Sequence, residues 1–250
     1  MIFKILKKSI EAMGFKLIEK NLVKNDRLIS QHSFLNTEKF FEYLFTLNKI
    51  DFIIQIGAND GKRFDIINKF IKKYKPKAIF LEPIKSNFES LKKNYFGQEN
   101  LLFENYALSV NNKISELYKV DENKLKIYDD HVVGITSFDK KHLIKHGIDR
   151  KHIIKEAVKT ISITDLIKKH SIKNFDLLLI DTEGYDGEIV NEFFNKSNIR
   201  PIIIFEYIHV KNKTLENTLN IIKEKKYFFF KLEENLICYP FEKEPNFKFG

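Results

Sequence analysis

The sequence lacks three features that would assign it to a secreted or membrane-embedded class. It has a single cysteine, Cys238, which excludes an internal disulfide and is typical of a reducing compartment. No apolar run approaches the roughly 18 residues that a membrane span needs. The first ten residues, MIFKILKKSI, contain neither the long apolar core nor the small-residue cleavage site of a secretory signal. We therefore expect a soluble protein of the cytoplasm.

Arginine is also scarce, which bears on the positive charge of the chain. The formal net charge is +9, a value that invites an interaction with nucleic acid. The basic residues include only four arginines, Arg27, Arg63, Arg150 and Arg200. Because bidentate recognition of bases and phosphates favours arginine, nucleic acid is not the expected partner. A basic nucleic-acid-binding or membrane-surface-binding protein that keeps an enzyme fold stays open as the alternative.

No internal repeat and no low-complexity linker divides the chain. Its 250 residues and 43% hydrophobic content suit one α/β domain with a full core. Residues 1–20 carry an apolar stripe beside several lysines, which predicts a basic amphipathic helix. Such a helix either packs on its own domain, as we favour, or rests on an anionic membrane surface. The expected organisation is an N-terminal helical extension over residues 1–48 and a Rossmann-like domain over residues 49–250.

What the sequence does contain is a short stretch at residues 51–61, DFIIQIGANDG, with an apolar run and two glycines. The run before Gly57 is apolar on both faces and too short for a helix, as in a central strand of a parallel sheet. Apolar residues recur at helical spacing after Gly61, so the motif predicts a strand, a glycine turn and a helix. The loop lacks the G-x-G-x-x-G pattern of dinucleotide binders, which disfavours a NAD-dependent dehydrogenase. Asp60 in the turn would repel a phosphate but suits S-adenosylmethionine (SAM), which carries an amine and a sulfonium.

Acidic residues follow several of the predicted strands. These acids are Asp60 in the glycine loop, Glu82 after AIFL, Asp181 and Glu183 after FDLLLI, and Glu206 after PIIIF. Strands that alternate with helices form a parallel sheet whose carboxyl ends share one edge, where open α/β sheets bind ligands. Glu82 has the position of a carboxylate that accepts hydrogen bonds from ribose hydroxyls. A row of acids at this edge is a poor phosphate site and a good SAM site.

Two further segments add polar side chains to the predicted site. Asn105 and Ala107 follow a third apolar segment, where an amide and a small side chain could border a flat aromatic ring. Residues 121–136 are polar and long enough for a lid or substrate loop, and they include His131. The two aspartates before this histidine supply too few ligands for a metal ion, so no metal is predicted.

Together these motifs resemble the FkbM-type SAM-dependent methyltransferases. In order, they are IIQIGANDG, FLEP, NYAL, ITSF, SITDLI, FDLLLIDTEGYD and IIFEYIH. The resemblance runs from about residue 51 to residue 239 and implies the class I methyltransferase fold. That fold is α/β and Rossmann-like, with a mostly parallel seven-stranded sheet and a closing antiparallel hairpin. The apolar runs at residues 227–232 and 236–239 agree with such a hairpin.

The resemblance also implies which residues bind the cofactor. They are Gly57, Ala58, Asn59, Asp60, Gly61, Glu82, Pro83, Asn105, Ala107 and Asp181. Within this set the glycine loop would hold the methionine portion of SAM and Glu82 its ribose. Asn105 and Ala107 would lie near the adenine, and Asp181 near the methyl group.

Many members of the family that the chain resembles methylate hydroxyl groups of sugars in glycans, glycolipids or natural products. The resemblance therefore implies O-methylation of a sugar or other hydroxyl group, with a small molecule or glycan as the acceptor. The paired prolines and aromatic residue of amine methylases are absent, and DTEG stands in their place, which favours oxygen over nitrogen. The candidate catalytic residues are Asp181, Glu183 and His209, and the expected substrate contacts are His131, Ser137 and Glu206. His209 has the chemistry of a base at neutral pH, although a structural role for it stays open.

Overall fold

The computed structural model describes residues 36–63, 65–110, 114–129, 132 and 134–243. The chain divides into two compact units, residues 1–40 and residues 41–250. The predicted amphipathic helix of residues 1–20 lies outside the described residues, and the domain boundary after residue 48 stays a prediction. No helix among the described residues is long and apolar enough to cross a membrane.

The described residues form two sheets. Their ten strands are β1 (Phe52–Ile56), β2 (Lys77–Leu81), β3 (Leu101–Glu104), β4 (Ala107–Leu108), β5 (Ile114–Val120), β6 (Ile153–Ile161), β7 (Leu177–Ile180), β8 (Ile202–Glu206), β9 (Tyr227–Leu232) and β10 (Asn235–Pro240). Seven strands form the main sheet in the order β3-β2-β1-β7-β8-β10-β9. The first five of these are mutually parallel, and β10 is antiparallel to both of its neighbours. The predicted mostly parallel seven-stranded sheet with a closing antiparallel hairpin is confirmed.

Seven α-helices connect the strands within the described residues. They are α1 (Thr37–Leu47), α2 (Asn68–Tyr74), α3 (Lys85–Asn94), α4 (Lys140–Lys145), α5 (Ile163–Lys169), α6 (Asp186–Lys196) and α7 (Asn212–Glu224). The predicted order of strand, glycine turn and helix is found, but α2 begins only at Asn68, later than the helical spacing after Gly61 indicates. The side chain of Asp60 accepts hydrogen bonds from the backbone N–H groups of Lys62 and Arg63. Such local bonds hold the chain in turns and compete with helix formation.

Apolar side chains bury the central strands on both faces. Ile54 and Ile56 of β1 join a core with side chains of α5, α6 and α7. On the opposite face of the sheet, Phe80 stacks on Tyr95 after α3 with ring centroids 4.8 Å apart, and on Phe103 of β3 at 5.5 Å. Since alternate residues of a strand point to opposite faces, a run that is apolar throughout is the pattern of such a doubly covered strand.

The three-stranded sheet lies in the segment between β3 and α5 and positions α4. Strand β6 pairs along its length with β5 in antiparallel fashion and with β4 in parallel fashion. Leu143 of α4 is fully buried in a small core with Val120, Ile135 and Ile153. This packing anchors α4 to the small sheet.

Candidate active site

The carboxyl ends of β1, β2, β7 and β8 lie along one edge of the main sheet, because these strands are parallel neighbours. Glu82 follows β2 directly, Asp181 follows β7 directly, and Glu206 is the last residue of β8. The chain order reverses between β1 and β7, so this is the switch point at which open α/β sheets bind ligands. The structure thus brings acids from three separate stretches of sequence to one edge.

Gly57 is the point of closest approach between the ends of β1 and β7. Its φ is +81°, and a Cβ atom at this position would lie 1.7 Å from the backbone oxygen of Asp181. The Gly57 N–H donates to the oxygen of Leu81 at 3.0 Å, so the same residue also contacts the end of β2. Only glycine satisfies both the backbone angle and the lack of space. Gly57 therefore fixes how closely three strand ends meet.

Asp60 is buried and already paired. Its carboxylate accepts hydrogen bonds from the backbone N–H groups of Lys62 at 2.9 Å and Arg63 at 2.8 Å, and from the Arg63 side chain at 2.7 Å. Burial acts to raise the pKa of Asp60, but the hydrogen bonds and the charge of Arg63 outweigh it and hold the pKa below its usual value. Asp60 is thus a charged group that stabilises the loop.

Glu82 connects the glycine loop to the turn after β2. It is 4% exposed, and its carboxylate accepts hydrogen bonds from the backbone N–H of Asn59 at 2.8 Å and of Ile84 at 2.9 Å. Burial raises its pKa to about 7 in spite of these bonds. The Asn105 side chain donates to the backbone oxygens of Glu82 and Pro83, both at 2.9 Å. These bonds tie the ends of β1, β2 and β3 together, and Ala107 lies buried two residues beyond Asn105.

Asp181 and Glu206 form no ion pair with a lysine or arginine of the described residues. Asp181 follows the last residue of β7 and is exposed to solvent. Desolvation, followed by repulsion from Asp186 and Glu183, raises its pKa well above the usual value. Burial, followed by repulsion from Asp181 and Glu183, raises the pKa of Glu206 to about 9. Among the described residues no lysine or arginine forms an ion pair with Asp181, Glu183 or Glu206.

The turn after β7 is held in a defined conformation. Asp186 is fully buried at the start of α6 and accepts hydrogen bonds from the Thr182 hydroxyl at 2.8 Å and the Gly184 N–H at 3.3 Å. Glu183 has a left-handed φ of 54°, and its backbone oxygen accepts a bond from the Ser137 hydroxyl at 3.0 Å. The buried Ser137 therefore positions this turn, and its hydroxyl is already engaged.

Three histidines surround the side chain of Glu183. His142 Nε2 lies 2.8 Å from Glu183 Oε2, and His209 Nε2 lies 3.9 Å from the same oxygen. The rings of His142, His146 and His209 have centroids between 4.6 and 5.0 Å apart. Burial lowers the pKa of His209, an effect that the nearby Glu183 only partly offsets.

Sequence reasoning missed His142 and His146. The signal was present as H-x-x-x-H in KKHLIKH, since residues four apart lie on the same side of a helix. Of the sequence-predicted residues, Asp181, Glu183, Glu206 and His209 meet at one place. The glycine loop, Glu82, Pro83 and Asn105 form the adjoining part of the same edge, and His131 lies outside the described residues.

Comparison with known proteins identifies the family. A model of the methyltransferase FkbM domain matches residues 55–229. No curated protein sequence matches the chain. The motifs that predicted this family, from the glycine loop to the strand before His209, lie within the matched range or at its margin.

Several solved structures are similar to the chain at low sequence identity. Methyltransferase FkbM from Methylobacillus flagellatus KT is 11% identical, with a TM-score of 0.45, and the match covers 76% of this chain and 44% of that protein. The O-methyltransferase from Bacillus cereus, solved in complex with S-adenosylhomocysteine (SAH), is 9% identical, with a TM-score of 0.44 and coverage of 95% and 98%. A SAM-dependent O-methyltransferase from Thermotoga maritima is 10% identical, with a TM-score of 0.40 and coverage of 81% and 64%.

The chain spans less than half the length of the Methylobacillus flagellatus protein. The family model, in contrast, covers well over half of this chain. We conclude that the chain belongs to the FkbM family of SAM-dependent methyltransferases.

Proposed function

We propose that the protein transfers a methyl group from SAM to a hydroxyl oxygen of a sugar or a related polyhydroxylated acceptor. The observation that carries this proposal is the group of Asp181, Glu183 and Glu206 beside Gly57, which has histidines but no lysine or arginine as partners among the described residues. A cation relieves the repulsion within such a group. Hydroxyl groups can donate hydrogen bonds to it.

The residues of this edge fit SAM by their charge and hydrogen-bonding capacity. Burial, followed by repulsion from Asp186 and Glu183, raises the pKa of Asp181, and a sulfonium or ammonium group beside Asp181 would favour its charged form. Glu82 uses two of the roughly four acceptor positions of a carboxylate for backbone N–H groups, which leaves others for ribose hydroxyls. Asp60 is satisfied by Arg63 and the backbone. We therefore assign Asp60 to the support of the loop instead of direct contact with the methionine portion.

The chain's own residues would assist the reaction as follows. Bound SAM supplies an activated methyl group, and transfer to oxygen breaks the carbon–sulfur bond, leaves its electron pair on sulfur and releases the hydroxyl proton. We assign Asp181 as the acceptor of that proton, because its raised pKa makes it a stronger base than an ordinary carboxylate. Glu183 and His209 lie beside it and would orient the acceptor hydroxyl. Alignment of oxygen, carbon and sulfur at this rigid edge can lower the barrier by roughly 7–11 kcal/mol.

The side chains of Asp181, Glu183 and Glu206 can form hydrogen bonds that suit a hydroxyl group as the methyl acceptor. Burial and repulsion from Asp181 and Glu183 raise the pKa of Glu206 to about 9, which favours its protonated form, and that form would donate a hydrogen bond to a hydroxyl oxygen. Glu183 and Asp181 would accept hydrogen bonds from hydroxyl hydrogens. Several adjacent donors and acceptors suit a sugar, which carries hydroxyl groups on neighbouring carbons.

Two measurements test the proposal. Calorimetry with SAH, with NAD as the comparison ligand, should show saturable binding of SAH alone. Radiolabelled SAM should then be supplied with nucleotide sugars, glycolipids and glycans, and in parallel with amines and RNA. We expect label in an alkali-stable ether on a sugar; transfer to amines or RNA alone, or tight NAD binding without SAH binding, would contradict the proposal.

A further inference from the structure

Three imidazoles and one carboxylate converge next to the acid-lined edge. His142 comes from α4, His146 directly follows the end of α4, Glu183 comes from the turn after β7, and His209 from the segment after β8. One ligand atom from each residue can be chosen so that all four lie within 4.8 Å of one another. We propose that these four side chains bind one divalent transition-metal ion. The sequence predicted no metal, because only the two aspartates before His131 were considered as ligands and His142 and His146 were not recognised.

The distances are close to those of a metal centre. Zinc–nitrogen bonds are about 2.1 Å long, so two ligand atoms lie about 3.4 Å apart in a tetrahedral site and about 4.2 Å apart on opposite sides of an ion with more ligands. The widest separation in the cluster, 4.8 Å, therefore has to close by about 0.6–1.4 Å, which side-chain rotation can supply. Glu183 Oε2 already lies 2.8 Å from His142 Nε2 and 3.9 Å from His209 Nε2. The carboxylate thus lies between two of the imidazoles.

The backbone around the cluster is held by contacts that do not involve the ligand atoms. Asp139 caps α4 by accepting a hydrogen bond from the Lys141 N–H at 2.9 Å. The Ser137 hydroxyl donates to the Glu183 backbone oxygen at 3.0 Å, which links the approach to α4 with the turn after β7. A Cβ atom at Gly184 would lie 3.1 Å from the backbone oxygen of His209, so those two turns also pack closely. Such supporting contacts orient metal ligands.

A simple ion pair does not account for the arrangement. One carboxylate can neutralise only one imidazolium, and three protonated rings at 4.6–5.0 Å would repel one another. Neutral imidazoles can instead direct their nitrogen lone pairs towards a common cation. Imidazole ligands favour zinc, iron, cobalt and nickel over magnesium and calcium, which prefer oxygen.

The histidine cluster lies beside Asp181, so an ion bound there could activate the acceptor hydroxyl. This role rests on the proposed function. Three nitrogens and one oxygen leave positions open on an ion that accepts five or six ligands, and Glu206 Oε2 lies 3.7 Å from His209 Nε2. A substrate hydroxyl bound at an open position would become more acidic and would give its proton to Asp181. The oxygen would then attack the methyl carbon as the carbon–sulfur bond breaks.

The test uses protein without a histidine tag, stripped with chelator and dialysed. Calorimetry with Zn²⁺, together with the visible absorption of added Co²⁺, should show one bound ion per chain. His142→Ala and His146→Gln should each weaken binding by at least tenfold. The control is His152→Gln, because His152 bonds to the Tyr128 hydroxyl and lies outside the cluster. Circular dichroism shows whether each variant is folded. If one of the two cluster variants does not fold, the other still tests the proposal.

The proposal is overturned if the wild-type protein binds neither ion, or if the folded cluster variants bind as tightly as the wild type. SAH binding measured on the same stripped protein separates the two proposals. If SAH and hydroxyl methylation are retained without any bound metal, the metal site alone fails. If one zinc ion binds at the cluster and no hydroxyl acceptor is methylated, the proposed function alone fails.

Discussion

At the scale of single residues, Asp60 and Asp181 show how the surroundings of an aspartate set its pKa. Both lie near Gly57, but their pKa values are shifted in opposite directions. Asp60 has Arg63 and two backbone N–H groups as partners, and its pKa is lowered. Desolvation and the neighbouring carboxylates raise the pKa of Asp181 well above the usual value. Asp60 is a structural anion, while Asp181 is the base in the proposed reaction, and its charge would become favourable when a cation binds beside it.

Asp181→Asn tests this assignment. The substitution keeps the size of the side chain and removes the proton acceptor, so turnover should fall by about 10²–10⁴-fold. SAH affinity should change little, because SAH lacks the sulfonium charge. Asp149→Asn, at an exposed cap of a short 3₁₀ turn, is the control for loss of an aspartate. Full turnover in the folded Asp181 variant would remove this residue from the reaction.

Glu82 gives a prediction about pH. Its pKa is about 7 in the folded protein, because it is buried, and about 4.3 in an unfolded chain. Between these values the folded state binds a proton that the unfolded state does not, so this residue lowers the free energy of unfolding as pH rises from about 4.5 to 7. Above pH 7 its contribution no longer changes with pH.

Urea unfolding at pH 5 and pH 7.5 checks this prediction. The wild-type protein should lose more stability over this interval than Glu82→Gln, with a difference on the order of 1–3 kcal/mol. Glu216→Gln, at an exposed position of α7, should behave like the wild type. Equal pH slopes for the wild type and Glu82→Gln would show that Glu82 does not hold its proton in the folded state.

At the scale of elements, Gly57 decides whether β1 and β7 can meet. Gly57→Ala would place a Cβ atom 1.7 Å from the Asp181 oxygen, whereas Gly97 has a nearly equal φ of +79° and nothing within 4 Å of its Cβ position. The two substitutions share the cost of a left-handed alanine, roughly 1–2 kcal/mol, and differ in the clash. We expect Gly97→Ala to lower the free energy of unfolding by about that amount.

Gly57→Ala should lower it by at least about 3 kcal/mol more, or prevent folding, because strand ends must move apart. Denaturant unfolding of both variants gives the comparison, and soluble yield serves where the Gly57 variant does not fold. If the two variants were equally stable, the close approach of β1 and β7 would not be required for folding.

The elements also show why part of the structure could be predicted and part could not. Strands β1, β7 and β8 were predictable because each is an apolar run that ends at glycine or acid, a pattern that depends on local sequence alone. The start of α2 was not predictable. The hydrogen bonds from the Lys62 and Arg63 backbones to Asp60 compete with helix formation, but they leave no trace in the spacing of the apolar residues. The pairing of β5 with β6 depends on contacts between residues more than 30 positions apart, which periodicity does not report.

The candidate site also has a part that could be predicted from the sequence and a part that could not. The acids at strand ends followed from the expected parallel sheet, since topology alone brings them to one edge. The histidine cluster did not, because it joins α4, a helix of only six residues, to turns some 40 and 65 positions further along the chain. The H-x-x-x-H spacing is visible, but a pair on so short a helix gains meaning only once Glu183 and His209 are found beside it.

At the scale of the whole molecule, the parallel sheet has two distinct edges, and only one of them carries the site. SAH should therefore slow amide hydrogen exchange in peptides that are distant in sequence and share the carboxyl edge. Those peptides cover residues 57–63, 82–84 and 181–184. Peptides at the amino edge, such as residues 99–100 and 173–176, should not change. The five residues of β1 put about 15 Å between the two edges, at about 3.3 Å per residue.

The pattern across these peptides is more informative than protection at any one of them. Binding that merely stabilised the whole fold would slow exchange at both edges, most strongly in the buried strands, whereas local contact slows it at one edge. Adding Zn²⁺ instead of SAH should protect residues 140–147 and 183–184 and leave residues 82–84 unchanged. Protection by SAH confined to the amino edge would contradict the placement of the cofactor. Protection by zinc outside the segments that contain the three histidines and Glu183 would contradict the metal site without affecting the cofactor's.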